Sequence, residues 1–269
     1  MRYLILSDIH SNLEALEKCL ELAEGKFDET LCLGDLVGYG PDPNAVIERV
    51  RSLAKVIIRG NHDKACSGLS DAAEFNPLAR LATEWTRQRL TPEHIGFLRS
   101  LPQGPLVFDG FQMVHGAPID EDEYVLGPGQ ALPALRNLTT QAVFFGHTHY
   151  QGGFLLTPKG RFQSIRCQGK PDGLTYELAF EEDGRYLINP GSVGQPRDGD
   201  WRAAFCHLQY GPASGRVLSH SIRPAGDAEE NAGRGPSRCA HPAAGTRPIN
   251  PRRFLQRNNI EKLPASKLD

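Results

Sequence analysis

The chain has 269 residues, 39% hydrophobic and 23% charged, with a formal net charge of −2. This is material for one domain with a sizeable core or two small ones, and it excludes a global electrostatic pull toward nucleic acid or a membrane surface. Its six cysteines (Cys19, Cys32, Cys66, Cys167, Cys206, Cys239) form no CxxC pair and read as buried or free thiols of a reducing compartment.

Residues 3–7 are a short apolar run, consistent with a buried strand rather than a signal peptide. Ser11-Asn12-Leu13-Glu14 has the pattern of a capping box, and Leu13, Leu16, Leu20 and Ala23 then give one apolar helix face. Residues 31–33 predict a second strand. Asp42-Pro43 predicts an N-cap followed by proline at the first helical position, with Val46, Ile47, Val50 and Leu53 as the buried stripe. Residues 56–58 predict a third strand. Such a β-α-β-α-β start implies a largely parallel sheet covered by helices.

Residues 71–101 read as two helices, the second starting at Thr91-Pro92, and suit a cap or side wall of a cleft. The pattern then turns to strands at 106–108 and 112–114, a hairpin about Asp109-Gly110, and at 142–145, 153–156, 162–165, 174–180, 185–188, 203–208 and 216–221. Many strands with few late helices predict a second sheet packed on the first. One domain over 1–222 is expected. Beyond it, 223–269 is rich in Pro, Gly and Arg and poor in large apolar residues, so it is expected to be disordered. No stretch approaches 18 continuous apolar residues, and the cytoplasm is the expected location.

Five short polar clusters carry the chemistry, several of them where an apolar strand meets a glycine-containing turn. They are Asp8-Ile9-His10, Gly34-Asp35, Gly60-Asn61-His62-Asp63, Val114-His115-Gly116 and Gly146-His147-Thr148-His149, and they hold five of the nine histidines. In open α/β sheets ligands bind beyond the carboxyl ends of the strands, so clusters far apart in sequence can converge there. Asp, Asn and His without Cys are the donor set of a catalytic di-metal site rather than a structural zinc site. Two adjacent metals are a common device for displacing an ester at phosphorus.

In this order the clusters resemble the calcineurin-like metallophosphoesterase superfamily, over residues 1 to about 209. The runs Gly34-Asp35-Leu36-Val37-Gly38-Tyr39-Gly40-Pro41-Asp42-Pro43 and Asn189-Pro190-Gly191-Ser192-Val193-Gly194-Gln195-Pro196-Arg197 are similar to a small bacterial and archaeal branch described as phosphodiesterase-like or protein-phosphatase-like. The resemblance implies an α/β fold of four layers, two mixed β-sheets face to face flanked by helices. It implies that Asp8, His10 and His149 hold one divalent ion, that Asn61, His115 and His147 hold another, and that Asp35 bridges them. Mixed N and O donors suit Mn²⁺, the favoured ion, and also Fe, Zn²⁺ or Ni²⁺.

The implied reaction is hydrolysis of a phosphate ester by a metal-bridging hydroxide, with no enzyme nucleophile. His62 is the candidate for protonating the leaving oxygen, with Asp63 either orienting it or capping the next helix. Asn61 and Arg197 are candidate substrate contacts, since a guanidinium suits phosphate. The protein Ser/Thr phosphatases and related dinucleoside tetraphosphate hydrolases carry an Asp and an Arg where this chain has Gly38 and Tyr39, which weakens those two substrate assignments. The expected partner is a small phosphorylated substrate; membrane and nucleic acid are not called for, and a homo-oligomer is left open. Phosphomonoesterase activity is favoured. The alternatives are a phosphodiesterase acting on nucleotide-type diesters and a non-catalytic metal-binding adaptor.

Overall fold

In a computed structural model, residues 1–108, 110–167, 174–211 and 214–222 are described. Asp109, at the expected hairpin tip, and the segment 223–269 lie outside them, as does the expectation of disorder there. The elements run β1 (Arg2–Leu6), α1 (Leu13–Ala23), β2 (Glu29–Cys32), α2 (Pro43–Leu53), β3 (Ala54–Ile57), α3 (Asn61–Ser67), α4 (Pro77–Arg87), α5 (Pro92–Ser100), β4 (Leu106–Val107), β5 (Phe111–Val114), α6 (Pro128–Arg136), β6 (Ala142–Phe145), β7 (Gly152–Leu156), β8 (Phe162–Arg166), β9 (Leu174–Ala179), β10 (Arg185–Asn189), β11 (Ala203–Gly211) and β12 (Ser214–Ile222).

The strands form two six-stranded sheets, ordered β3-β2-β1-β11-β12-β9 and β4-β5-β6-β10-β7-β8. Both are mixed. In the first, β1, β2 and β3 are parallel while β11, β12 and β9 join antiparallel. In the second, β5, β6 and β10 are parallel and the outer strands antiparallel.

Strand alternation builds the layers. Ile5, Leu31 and Ile58 from the first sheet meet Phe111, Met113, Phe144 and Ile188 from the second in one buried cluster. The neighbours of these residues, Leu4 and Leu6, point to the other face and pack with Leu16, Leu20, Val46, Ile47 and Val50 of α1 and α2. Val143, Phe145 and Leu187 likewise bury α6 through Ala131 and Leu135. The result is helix, sheet, sheet, helix, as period-two alternation on two facing sheets requires.

The two helices expected within 71–101 are α4 and α5, and Thr91 caps α5 by accepting from the His94 N–H. The start of α1 differs from the capping-box expectation. Asn12, not Ser11, is the N-cap; its Oδ1 accepts from the Ala15 N–H, and the Ser11 hydroxyl is buried without a hydrogen-bond partner. Asp42 is the N-cap of α2 with Pro43 behind it, though its side chain makes no cap hydrogen bond. Among the described residues no helix is long and apolar enough to cross a membrane, and the five described cysteines are unpaired.

Candidate metal centre

Each polar cluster follows the carboxyl end of a parallel strand. Asp8 and His10 follow β1, Asp35 follows β2, Asn61 and His62 follow β3, His115 follows β5, and His147 and His149 follow β6. Because β1–β3 belong to one sheet and β5–β6 to the other, both sheets deliver ligands to one edge of the sandwich. The turns are tight. Among the described residues eight non-glycine residues have positive φ, and seven belong to these loops: Asp8, His10, Ser11, Asp35, Tyr39, His147 and His149. Left-handed backbone at ordinary side chains is unfavourable and concentrates where a site demands it.

Two donor groups result, with Asp35 in both. Asp8, His10, Asp35 and His149 offer ligand atoms that all lie within 4.8 Å of one another, as do Asp35, His115 and His147. Asp35 Oδ2 sits 3.6 Å from His10 Nε2 and 3.5 Å from His115 Nε2, so one carboxylate oxygen stands between the groups. His10 Nε2 and His149 Nε2 are 3.1 Å apart, and Asp8 Oδ1 is 3.4 Å from His149 Nε2. Asn61 Oδ1 lies 3.3 Å from His115 Nε2, which adds it to the second group. The structure thus brings together the residues that the resemblance names as ligands, with Asp35 common to both groups.

The outer nitrogens of the imidazoles test whether this set fits a metal. His10 Nδ1 faces the Val37 carbonyl at 2.9 Å, His115 Nδ1 the Leu33 carbonyl at 2.7 Å, and His149 Nδ1 the Gln195 carbonyl at 2.5 Å. A carbonyl only accepts, so each Nδ1 carries a proton and each Nε2 is the nitrogen left to face the cluster. His147 is reversed: its Nε2 donates to the Asp122 carbonyl at 3.0 Å, leaving Nδ1 as the donor atom. Four ring nitrogens converging on two carboxylates and an amide oxygen, each ring fixed from behind, fit two divalent ions once any proton on them is displaced.

Electrostatics agree with a site made for cations. Burial pushes the Asp8 carboxyl up to about 6, with the Asp35 charge adding to it. Burial alone would lower His115, but Asp35 and then Asp8 carry it up to about 10. Burial also raises Asp35, yet the His115, His62 and His10 rings beside it win and hold it well below the usual carboxylate range. Burial depresses His147 to about 3 and His62 to about 4, and His10 and His149 fall well below their ordinary value for the same first reason.

The remaining predicted residues divide. His62 packs edge-on to His10 with centroids 5.0 Å apart, and its ring lies between Tyr39 at 4.7 Å and Phe75 at 4.7 Å. Its Nδ1 is buried without a partner. Asp63 does not supply one. Its oxygens accept backbone N–H groups from Asp35, Leu36, Val37 and Gly60. Of the two readings of Asp63, the geometry is that of a backbone clamp and cap, not of a group that orients His62. Arg197 lies over Tyr39 with its guanidinium carbon 5.9 Å from the ring centroid, and its Nη2 donates to Gln195 Oε1 at 2.6 Å.

The profile of the calcineurin-like phosphoesterases matches residues 1–151. The chain belongs to that family. It is similar to an uncharacterised protein of Methanocaldococcus jannaschii, 34% identical over 209 residues, which covers 75% of this chain and 80% of the relative. Among solved structures it is similar to a metallophosphoesterase from Sphaerobacter thermophilus, at 38% identity and a TM-score of 0.67, over 83% of this chain and 89% of the other.

Several residues shape the centre of this calcineurin-like phosphoesterase in ways that the sequence does not show. The run 189–197 stands out there by its resemblance alone, which does not say how it holds the site. Asn189 Nδ2 donates to the Gly146 carbonyl and to Thr148 Oγ1, both at 2.9 Å, and Ser192 Oγ donates to the Asp8 carbonyl at 2.7 Å. A β-carbon on Gly60 would collide with Asp35 Oδ1, so the loop closes on the Asp35 carboxylate only with glycine there. Tyr39, Phe75 and Tyr124 also line the histidines. Tyr39 lies in the run 34–43, but nothing in the immediate sequence of Phe75 and Tyr124 marks them, because an isolated aromatic in a loop has no periodic or motif context.

Proposed function

We propose that this protein is a phosphoric ester hydrolase using two divalent ions, with phosphomonoesters preferred. The observation that carries the reading is Asp35 Oδ2, 3.6 and 3.5 Å from the ε-nitrogens of two histidines belonging to separate donor groups. Bound there, divalent ions would neutralise phosphate charge and lower the pKa of water so that it becomes a nucleophile at neutral pH. Mn²⁺ is the favoured ion, from the mixed N and O donors.

The chain's own residues supply the rest. Asp8 and Asp35 are the carboxylates of the donor set, and the carboxylate of Asp63 is committed to backbone N–H groups. Two carboxylates offset only part of the charge of two divalent ions, which leaves the site positive. Arg197, presented by Gln195 and Tyr39, adds to that charge. Such a balance suits the dianion of a phosphomonoester better than the monoanion of a diester. Arg197 and Asn61 are assigned to phosphate contact. His62, buried and held by Tyr39 and Phe75, is assigned to the leaving oxygen. The substrate is a small phosphorylated molecule in the cytoplasm.

The test is hydrolysis of p-nitrophenyl phosphate and bis-p-nitrophenyl phosphate by chelator-treated and by Mn²⁺-reloaded protein. Metal-restored turnover with faster cleavage of the monoester is expected. Faster cleavage of the diester would replace the monoester preference. Two bound ions without turnover of either ester would favour the adaptor.

A further inference from the structure

Lys64 stands one helical turn after Asn61 on α3, and its side chain is only 10% exposed. Its Nζ donates to Glu121 Oε1 at 2.9 Å and to both Asp122 oxygens at 2.7 and 2.5 Å. Glu121 is gripped a second time by Arg59, through Nε at 3.0 Å and Nη2 at 2.7 Å. These ion pairs fasten the segment 117–127 to the start of α3. The backbone carbonyl that orients His147 belongs to this segment, for it is that of Asp122. Tyr124, from the same segment, stacks on the His147 ring with centroids 3.8 Å apart and planes inclined by 26°.

We propose that Lys64 is a positioning residue for one half of the metal centre: by holding Asp122 it fixes the tautomer and orientation of His147, and it ties His147 to Asn61 on its own helix. The inference rests on the di-metal reading above. Two observations favour it over a simple surface ion pair. Lys64 and Glu121 are nearly buried, and a charged group is placed so only where its partners are fixed. His147 is also the one histidine of the set that leaves Nδ1, not Nε2, to the cluster, so its geometry depends on a carbonyl in a surface segment. The other three are held by Val37, Leu33 and Gln195, in loops tied into the site itself. Groups behind metal ligands commonly change metal affinity about 10–100-fold when removed.

The inference predicts an asymmetry. Lys64 serves the half of the site built from Asn61, His115 and His147, for its Nζ bonds to Glu121 and Asp122 behind His147. The experiment is calorimetric titration of the full chain with Mn²⁺ for the wild type, Lys64→Met, Lys64→Arg and Asp122→Asn, with ¹⁵N-histidine spectra of the Zn²⁺-loaded proteins to read the His147 tautomer. In Lys64→Met one of the two ions should bind about 10–100-fold more weakly, the other should be unchanged, and the His147 Nε2–H signal should be lost or broadened. Lys64→Arg should recover most of the lost affinity. If Lys64→Met fails to fold, Asp122→Asn, which removes the carboxylate and keeps the carbonyl, should show the same selective loss. Two wild-type affinities and an unchanged His147 signal in both variants would overturn the role of Lys64 and leave the di-metal reading standing. A wild-type protein that binds fewer than two ions would overturn both.

Discussion

Asp63 Oδ2 accepts the backbone N–H of Asp35 at 2.8 Å. The carboxylate also takes the N–H groups of Leu36 at 2.9 Å and Gly60 at 3.0 Å, so it clamps the turn that carries Asp35 to the turn that carries Asn61 and His62. Removing it strands buried donors, each worth about 1–3 kcal/mol when left unsatisfied. Asp63→Ala should therefore lower the unfolding free energy by more than about 3 kcal/mol and weaken metal binding as a consequence. Chemical denaturation of the metal-free protein checks this. Unchanged stability with reduced turnover would return Asp63 to the chemistry.

Asp35 itself offers a cleaner separation of fold from function. Its Oδ1 accepts the His62 N–H at 2.8 Å, while Oδ2 faces the two donor groups. Asparagine keeps an oxygen for the first task and loses the charge needed for the second. Asp35→Asn should keep the wild-type circular dichroism spectrum, bind fewer than two ions per chain and lose measurable turnover. An Asp35→Asn protein that is active with two ions bound would remove Asp35 from the bridging position.

The strand ends and their glycines make most of this centre legible in the sequence, because the chemistry needs Asp, Asn and His at β-to-loop junctions and those residue types stand out against apolar runs. Nine expected late strands all appear, and so do both helices within 71–101. What stays hidden has physical reasons. Helix α6 carries Pro133 in its interior and only a short apolar face of Ala131, Ala134 and Leu135, too brief a pattern for a 3.6-residue period to show. The short helix α3 holds its whole first turn inside a motif that reads as ligands. Tyr124, Lys64 and Asp122 act through contacts 23–58 residues away in sequence, and no local pattern encodes such pairings.

The pH dependence of metal loading follows from His115. Asp35 and Asp8 hold its ring at about 10 against burial, so below that pH a proton occupies the Nε2 that would bind metal. A metal and that proton compete, and loading must release it. Affinity should therefore rise with pH, about tenfold per unit between pH 6.5 and 9. Burial raises the Asp8 carboxyl to about 6. Below that pH Asp8 is also protonated, so the slope should steepen on going to more acid solution. Mn²⁺ affinities measured from pH 5 to 9 provide the check, and a flat profile would contradict the His115–Asp35 pairing.

The unpartnered Nδ1 of His62 points to Gly38, the position where the protein Ser/Thr phosphatases carry an acid. A β-carbon on Gly38 would lie 2.7 Å from that nitrogen, and Gly38 has φ of +93°. No side chain fits there while His62 stays in place, so an acid cannot simply be added at this position to support the histidine. Gly38→Ala should displace His62 and, like His62→Ala, reduce kcat by roughly 10²–10⁴ with both ions still bound. Because the two substitutions remove the same group from the same place, the double variant should be no slower than either single one. Additive losses, or a Gly38→Asp protein faster than wild type, would show that His62 takes its position from something other than the space Gly38 leaves open.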